Sequence, residues 1–506
     1  MFRDGAKKSI WQEEIKRFSS EAGLETVFDV AVIGAGITGT STALKLQEEG
    51  KKCILLEAAN IGFGTTGGTT AHLNDFFDTT YSEVISNFGQ ESAELLYKAA
   101  VEALNIIRIN IQKYNIDCDF EDRAGYLFAL DEKQQKQLKS IVEGALKVGH
   151  TMSYTHEIPF PIPFEKAVII PGQAQFHPIK YIRGLCEAFL NLGGLILEDC
   201  RCKEHTEEDG IISLQTEKGV IKARNLVYAT HIPTGVNILH FMNAPYRSYA
   251  LSFTLKSGNY PNALGYDLYD PYRYYRTHEI NGRKMIIAGG EDHKSGHADD
   301  TEQCFKNLEN YLRQYFDIDE IVYSWSSQYF EPADGLPYIG RMPGSRENVF
   351  VSTGFRGNGM MFGTITSKII TGLITEGKSE YEELFDPKRI KPVAGFGNFV
   401  KESADVVFTF IKDKIFKDKL ESLTKIKEEE GEVVKYEGES YALYKEANGK
   451  LHILKSACTH TQCEIRWNNA EKTWDCPCHG SRFNINGKVL NAPAVKDLQR
   501  LDPEEL

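Results

Sequence analysis

Three hydrophobic patterns succeed one another along the chain. Between residues 27 and 57 a solid apolar run, VFDVAVIGAG, ends in glycines. Next comes ITGTSTALKLQEEG, with apolar positions at helical spacing and a stop at Gly50, and then a second apolar run, KKCILLEAA, that reaches Glu57. Such runs on either side of a helix-period segment predict strand, helix, strand, the opening unit of a doubly wound parallel sheet. Residues 76–165 read as mixed and largely helical, and residues 180–232 return to α/β character. From 245 to 292 the pattern turns aromatic, in YRSYALSFTL, YDLYDPYRYYRT and RKMIIAGGED, with Gly, Pro and Asn between the runs. That predicts an antiparallel sheet. A glycine-rich strand-to-helix passage closes residues 330–377. Within 386–424, Val400, Ala404, Val407, Ile411 and Ile415 recur at helical spacing and predict a connector helix that docks the last domain onto the first, with a membrane-surface role left open by its flanking lysines. Residues 425–506 read as short strands and turns.

At 506 residues the chain is too long for one core. The expected division is a discontinuous nucleotide domain (27–75, 166–235 and 330–385), a substrate domain (76–165 and 236–329), the connector (386–424) and a C-terminal domain (425–506). The fold class is then α/β for the first, α+β on an antiparallel sheet for the second and small all-β for the last. A net charge of −13 argues against nucleic acid as a partner. The N-terminal residues have no apolar core of a secretory signal, and no run approaches the roughly 18 apolar residues of a membrane span, so the expected location is cytoplasmic.

Gly34, Gly36 and Gly39 form G-x-G-x-x-G between the first strand and helix, with Ile37 and Thr38 inside it and Glu57 and Ala58 after the next strand. The glycines permit a tight turn, backbone approach to a pyrophosphate and close helix packing, and the carboxylate suits a ribose. A Gly/Thr-rich loop, NIGFGTTGGTTAHL, supplies Thr65, Thr66, Thr69 and Thr70, and a second, STGFRGNGMMFGT, supplies Gly354, Arg356, Gly357, Asn358 and Gly359 at the head of an apolar helix. The positive end of that helix suits the ring of a flavin, where negative charge grows on reduction. Together with NLVYATH and EPADGLPYIG, these pieces make residues 27–385 resemble the D-amino-acid oxidase, glycine oxidase and sarcosine oxidase-like FAD family. The resemblance implies a Rossmann-like FAD domain, an adenine passing Cys202, Ala229 and Thr230, and a departure at His231, where relatives often have Gly. Cys304 is the one cysteine between 300 and 385 and stands in an unmatched context, so non-covalent FAD is expected.

Near the other end Cys458 and His460 read C-x-H, and after fifteen residues Cys476 and His479 read C-x-x-H. One Cys and one His in each loop resembles the Rieske 2Fe–2S signature, in which one iron takes two thiolates and the other two imidazoles. A Cys₂His₂ zinc site, which pairs like with like, is the alternative. The resemblance implies a disulfide between Cys463 and Cys478 that clamps the ligand loops. It also implies a hydrogen bond from Ser481 to a cluster sulfur, and Phe483 stands where high-potential members often have a donating Tyr. The lost donor predicts a potential between those of respiratory Rieske proteins and Rieske ferredoxins.

A one-electron cluster and a two-electron oxidation need a flavin between them, because nicotinamide is a poor one-electron donor. The expected function is oxidation of a C–N bond in a small amine or amino acid, with electrons passing from FAD to the Rieske cluster and on to an external one-electron acceptor. An electron-transfer or redox-sensing protein without a catabolic substrate is the alternative, and no two-His-one-carboxylate iron site for an oxygenase is evident. Candidate catalytic residues are His72 after the Gly/Thr loop, Tyr249, Arg276 and Arg356. In YDLYDPYRYYRT, strand alternation puts Tyr272, Tyr274 and Arg276 on one face, where an Arg could fork onto a substrate carboxylate.

Overall fold

The structure, a computed structural model, describes residues 3–12, 16–18, 20, 26–389, 426–436 and 438–501. From residue 390 onward the expected connector helix lies outside the described residues.

The first apolar run becomes the strand Val27–Ile33, parallel to Cys53–Leu56 on one side and to Gly219–Tyr228 on the other. Strands flanked on both sides and covered on both faces must be apolar throughout, which is why this segment shows no alternation. The sheet runs Tyr338–Arg341, Val349–Thr353, Gly219–Tyr228, Val27–Ile33, Cys53–Leu56, Leu195–Leu197, with its central pairs parallel. The helices Ile37–Glu48 and Gly359–Thr375 pack together over it, and the Ile37–Glu48 helix starts directly at the end of the central strand.

A nine-stranded sheet stands beside the first, ordered Ile318–Pro332, Asn243–Leu255, Arg283–Lys294, Arg273–Ile280, Leu264–Asp267, Glu121–Ala129, Lys166–Gln175, His72–Leu73, with Ser153–Thr155 on Lys166–Gln175. It is antiparallel except where Leu264–Asp267 meets Glu121–Ala129. The expected boundary at residue 166 falls elsewhere: Lys166–Gln175 pairs with Glu121–Ala129 in this second sheet. Its run KAVIIPGQAQ looks like a buried parallel strand in isolation, and only the partner decides the sheet.

The C-terminal part is all-β: an antiparallel three-strand sheet over Gly431–Tyr436, Glu439–Lys445 and Leu451–Lys455, and a four-strand sheet over Arg466–Asn468, Thr473–Asp475, Arg482–Asn484 and Val489–Asn491. Trp474 and Phe483, fully buried cross-strand neighbours, centre its core.

This domain sits on the rest of the chain through buried charge. Arg482 pairs with Asp475 at 3.0 Å and Asp4 at 2.9 Å, Arg247 pairs with Asp475 at 3.1 Å, and Arg3 pairs with Glu471 at 2.9 Å and Asp4 at 3.1 Å. Arg3 and Asp4 come from the N-terminal segment, Arg247 from the nine-stranded sheet, and the other three from the C-terminal domain. That same N-terminal segment braces the Gly/Thr loop, with Ser9 Oγ donating to Gly67 O and Trp11 Nε1 to Thr69 O. Burial alone would raise the pKa of Asp475, but Arg482 and Arg247 outweigh it and hold it at about 2. Its stabilising contribution is therefore complete above the unfolded carboxylate value, roughly 3.9, and is lost as pH falls through about 2. Arg482→Met leaves three buried carboxylates sharing two guanidiniums and is expected to cost about 3–5 kcal/mol, read as a lower melting temperature of the full chain. An unchanged melting temperature would show that the cluster does not close the joint.

Candidate functional site

Where the two large sheets meet, a cavity of about 840 Å³ runs from the glycine turn to the strands of the second sheet. Gly34 holds φ +100°, and a Cβ there would lie 2.5 Å from Ala229 O. At Gly36 a Cβ would meet Thr66 Oγ1 at 2.8 Å, and at Gly39 it would meet Gly34 O at 1.8 Å, so all three positions require the bare backbone. Gly34, Gly36, Ile37 and Thr38 line the cavity; Gly39 packs behind them. Glu57 and Ala58 line it too, and the Glu57 carboxylate accepts from Ala35 N and Ala59 N at 2.9 Å each. Burial raises the pKa of Glu57, and these two donors oppose that.

Thr65, Thr66, Thr69, Thr70, Cys202, Ala229 and Thr230 also line this cavity, as do Arg356, Gly357, Asn358 and Gly359 at the N-terminus of the second helix. Gly354 holds φ +76° behind them and is not part of the lining. His231, where the resemblance leads one to expect Gly, adopts φ +70°, the left-handed conformation glycine takes freely. Its Nδ1 lies 3.2 Å from Thr65 Oγ1, and its ring packs edge-on to Phe330. Cys304, on the helix Thr301–Tyr315, does not line the cavity.

At the far end lie His72 and the tyrosines 266, 272 and 274. His72 Nδ1 is 2.8 Å from Tyr266 Oη, and burial, aided by Arg276, lowers its pKa well below the usual value, so the imidazole is neutral at pH 7. Two catalytic candidates lie elsewhere. Tyr249 is fully buried with its hydroxyl on His293 Nε2 at 2.9 Å. Arg276 shares the face of Tyr274, as alternation requires, but its Nη1 donates to the carbonyls of Thr70, Ala71 and Phe176, and its Nη2 reaches His278 Nδ1. A guanidinium caged by carbonyls orders the Gly/Thr loop and has no fork left for a substrate carboxylate. Arg356 does face the cavity, bonded to Thr79 Oγ1 and paired with Glu331 at 3.3 Å.

The sequence pattern gave no sign of the carboxylates. Asp78, Asp292 and Glu331 line this end against the one guanidinium of Arg356. Asp292 reaches it through a β-bulge: opposite Arg247–Tyr249 the neighbouring strand carries an extra residue between His293 and Gly290, with Glu291 at φ +58°. Tyr329 Oη donates to Asp292 Oδ2 at 3.1 Å. Although Asp292 is open to the cavity, partial desolvation by its walls raises its pKa, to about 7; bonds from Ser248 and Tyr329 work against this, and Asp78 and Glu331 add to it. Two-versus-one residue counting across strands is invisible until the register is known.

In the C-terminal domain the loops bring Cys458, His460, Cys476 and His479 together, and Cys463 and Cys478 are joined in a disulfide across them. The two imidazole centroids are 5.0 Å apart. His460 Nε2 donates to Gly235 O at 3.0 Å and leaves a buried Nδ1 without a partner, and His479 Nε2 is likewise buried and partnerless. Hydrogen bonding from Cys476 lowers the pKa of the Cys458 thiol; burial opposes this, and backbone N–H groups and Ser481 assist it. Two adjacent thiols and two imidazoles, each with an orphaned nitrogen, form the donor set that a 2Fe–2S cluster of mixed ligation requires. Phe483, buried in the core, offers the cluster no donor. The histidine edge is covered by the rest of the chain, with His240 4.7 Å from His460 and Phe241 5.2 Å from His479 between ring centroids.

The family described as FAD dependent oxidoreductase matches residues 29–373, and the Rieske [2Fe-2S] domain matches residues 419–502. The chain is 31% identical to the Bacillus subtilis protein YhfW, named as a Rieske 2Fe-2S iron-sulfur protein, over 94% of each chain. It is 24% identical to the gamma-glutamylputrescine oxidoreductase of Escherichia coli over 71% of this chain and 85% of that one. In fold it is similar to the glycine oxidase of Geobacillus kaustophilus, with a TM-score of 0.61, 17% identity and coverage of 72% of this chain and 99% of the other. Among the described residues no helix is long and apolar enough to cross a membrane.

Cys458→Ser is expected to abolish the EPR signal of the reduced cluster and leave flavin absorbance intact. A retained signal would refute this ligand set.

Proposed function

Because the chain belongs to the FAD dependent oxidoreductase family and ends in a Rieske domain, we propose that it oxidises the C–N bond of a small amine to an imine, which water hydrolyses, and delivers the electrons singly through the Rieske domain to an external acceptor. When bound, FAD takes up a hydride and the 2Fe–2S cluster carries one electron at a time. The observation that carries this reading is the contact between the ligand loop and the cavity wall. Gln328 Nε2 donates to Gly480 O, next to His479, at 2.9 Å. The carbonyl of the same Gln328 accepts from Thr65 Oγ1, inside the cavity, at 2.8 Å. A Cβ at Gly480 would lie 2.7 Å from Gln328 Nε2 and 2.9 Å from Pro245 Cβ, so glycine lets the two loops touch. A few hydrogen-bonded residues then separate the flavin cavity from the cluster ligands.

The open cavity supports a substrate role over electron transfer alone. Its tyrosine-rich end favours an amine that brings positive charge: Asp78, Asp292 and Glu331 line it, and the guanidinium of Arg356 there is already paired with Glu331. Tyr272 and Tyr274, 5.7 Å apart, and Tyr246 and Tyr329, 5.8 Å apart, add ring faces that attract an ammonium. His72, held neutral by burial and Arg276, adds no positive charge to repel an ammonium beside the same space. The relative from Escherichia coli is named for gamma-glutamylputrescine, itself an amine.

The test is anaerobic mixing with amines, N-methyl amino acids and D-amino acids, following flavin absorbance and Rieske EPR on the same samples. One class is expected to bleach the flavin and then raise the cluster signal. Gln328→Met is expected to leave bleaching unchanged and slow the cluster signal. Failure of every amine, where a chemical reductant bleaches the flavin, would remove the catabolic reading.

Asp292 carries charge only above about 7, so KM for a cationic amine is expected to fall as pH rises through that value. In Asp292→Asn this limb is expected to vanish; a profile identical to the parent would exclude Asp292 from substrate binding.

A further inference from the structure

The cavity has one wall that neither half of the FAD fold supplies. Beside Glu57, Ala58, Cys200 and Cys202 it is lined by Leu490, Asn491, Ala492, Ala494 and Val495 of the Rieske domain. The adjacency is bonded through. Cys200 N donates to Glu57 O at 2.8 Å, and the next residue, Arg201, donates from Nη2 to Val489 O at 2.9 Å. The backbone of Glu57 is thus linked, through Cys200 and the side chain of Arg201, to the last strand of the C-terminal domain.

We propose that Leu490–Val495 form part of the FAD site, closing its adenine–ribose end, so that the cofactor is held between the two domains. Glycine turn, Glu57 and Cys202 point to which end this is: a bound pyrophosphate would rest on the helix N-terminus at Gly36, and the ribose would reach Glu57, whose backbone carbonyl bonds Cys200 N. Leu490 and Val495 offer apolar side chains to a flat purine, and Asn491 an amide. Partly exposed side chains on a cavity wall are covered when a ring fills the space, which gains apolar burial on both partners.

The segment is also tied to both cluster loops. Ala494 N donates to Ser481 Oγ at 3.0 Å, and Thr459 Oγ1 donates to Lys496 O at 2.6 Å. Val489 N is held by Asp497 Oδ1 at 2.9 Å, which stiffens the segment at its base. Filling the adenine end thus orders a segment on which the ligand loops rest, and binding of cofactor and docking of the Rieske domain reinforce one another. This linkage holds whether or not electrons pass from flavin to cluster, so it stands or falls apart from the relay.

The experiment is hydrogen exchange on the flavin-stripped full chain with and without ADP, which carries the adenine, ribose and diphosphate alone. ADP is expected to slow exchange in peptides covering 489–496 together with the Gly34–Gly39 turn. Protection of the turn with none at 489–496 would overturn the proposal. In parallel, Leu490→Ser with Val495→Ser is expected to raise the FAD dissociation constant about tenfold with the cluster spectrum retained. Lys488→Ala, exposed on the same hairpin, is expected to leave it unchanged. Equal dissociation constants for parent and double variant would likewise refute a cofactor-binding role.

Discussion

A buried ion cluster sets the geometry of this chain. Arg3, Arg247 and Arg482 meet Asp4, Glu471 and Asp475 in surroundings that exclude water almost completely. Removing six charges from water is expensive, and mutual attraction offsets this only when every charge finds its partner. Two of the carboxylates have further donors: Glu471 Oε1 accepts from Ser326 N and Oγ at 2.8 Å each, and Asp475 from Asn468 and Thr473. Gly5 is part of the arrangement, because a Cβ there would lie 2.0 Å from Glu471 Oε2. Three segments far apart in sequence are thereby fixed at one point.

The cavity takes its shape from the same point. Ser326 and Arg247 are members of the strands that carry Gln328, Tyr329 and Ser248 into the cavity wall, so the ion cluster lies on the strands that line it. Across that pair the bulge at Glu291 points Asp292 inward, and the N-terminal segment holds the Gly/Thr loop from behind. Arg276 completes the loop by capping its carbonyls. Groups that resemble substrate ligands in the sequence thus divide into those that build the cavity and those that face it.

What the sequence made legible was local. Glycines that need a bare backbone, a carboxylate one strand further on, and C-x-H with C-x-x-H depend on neighbours within a few residues, and those positions converge in space. Joints between segments were not legible. Arg3 and Asp4 sit in a polar N-terminal stretch that reads as solvated surface, and their partners are more than 460 residues away. Lys166–Gln175 could serve either sheet by its pattern alone. Arg276 was placed on the correct face by alternation, but alternation says nothing of the carbonyls waiting there. Cys463 and Cys478 came by family resemblance, and the structure joins them.

Charge burial also constrains how the Rieske domain sits on the rest of the chain. Apolar contacts at an interface tolerate sliding, because most registers bury some area. A charged contact does not: a shift of a few ångströms leaves Arg482 or Asp475 unpaired in low dielectric, at a cost of several kcal/mol. The pose that satisfies the cluster is the one that puts Gly480 on Gln328 and His460 on Gly235. It also sets Val489 on Arg201. Electron transfer demands a short, constant separation, and a shared cofactor cavity demands closed walls. A net-neutral cluster that is costly to misalign would meet both demands of the proposed relay and shared cavity with the same six residues.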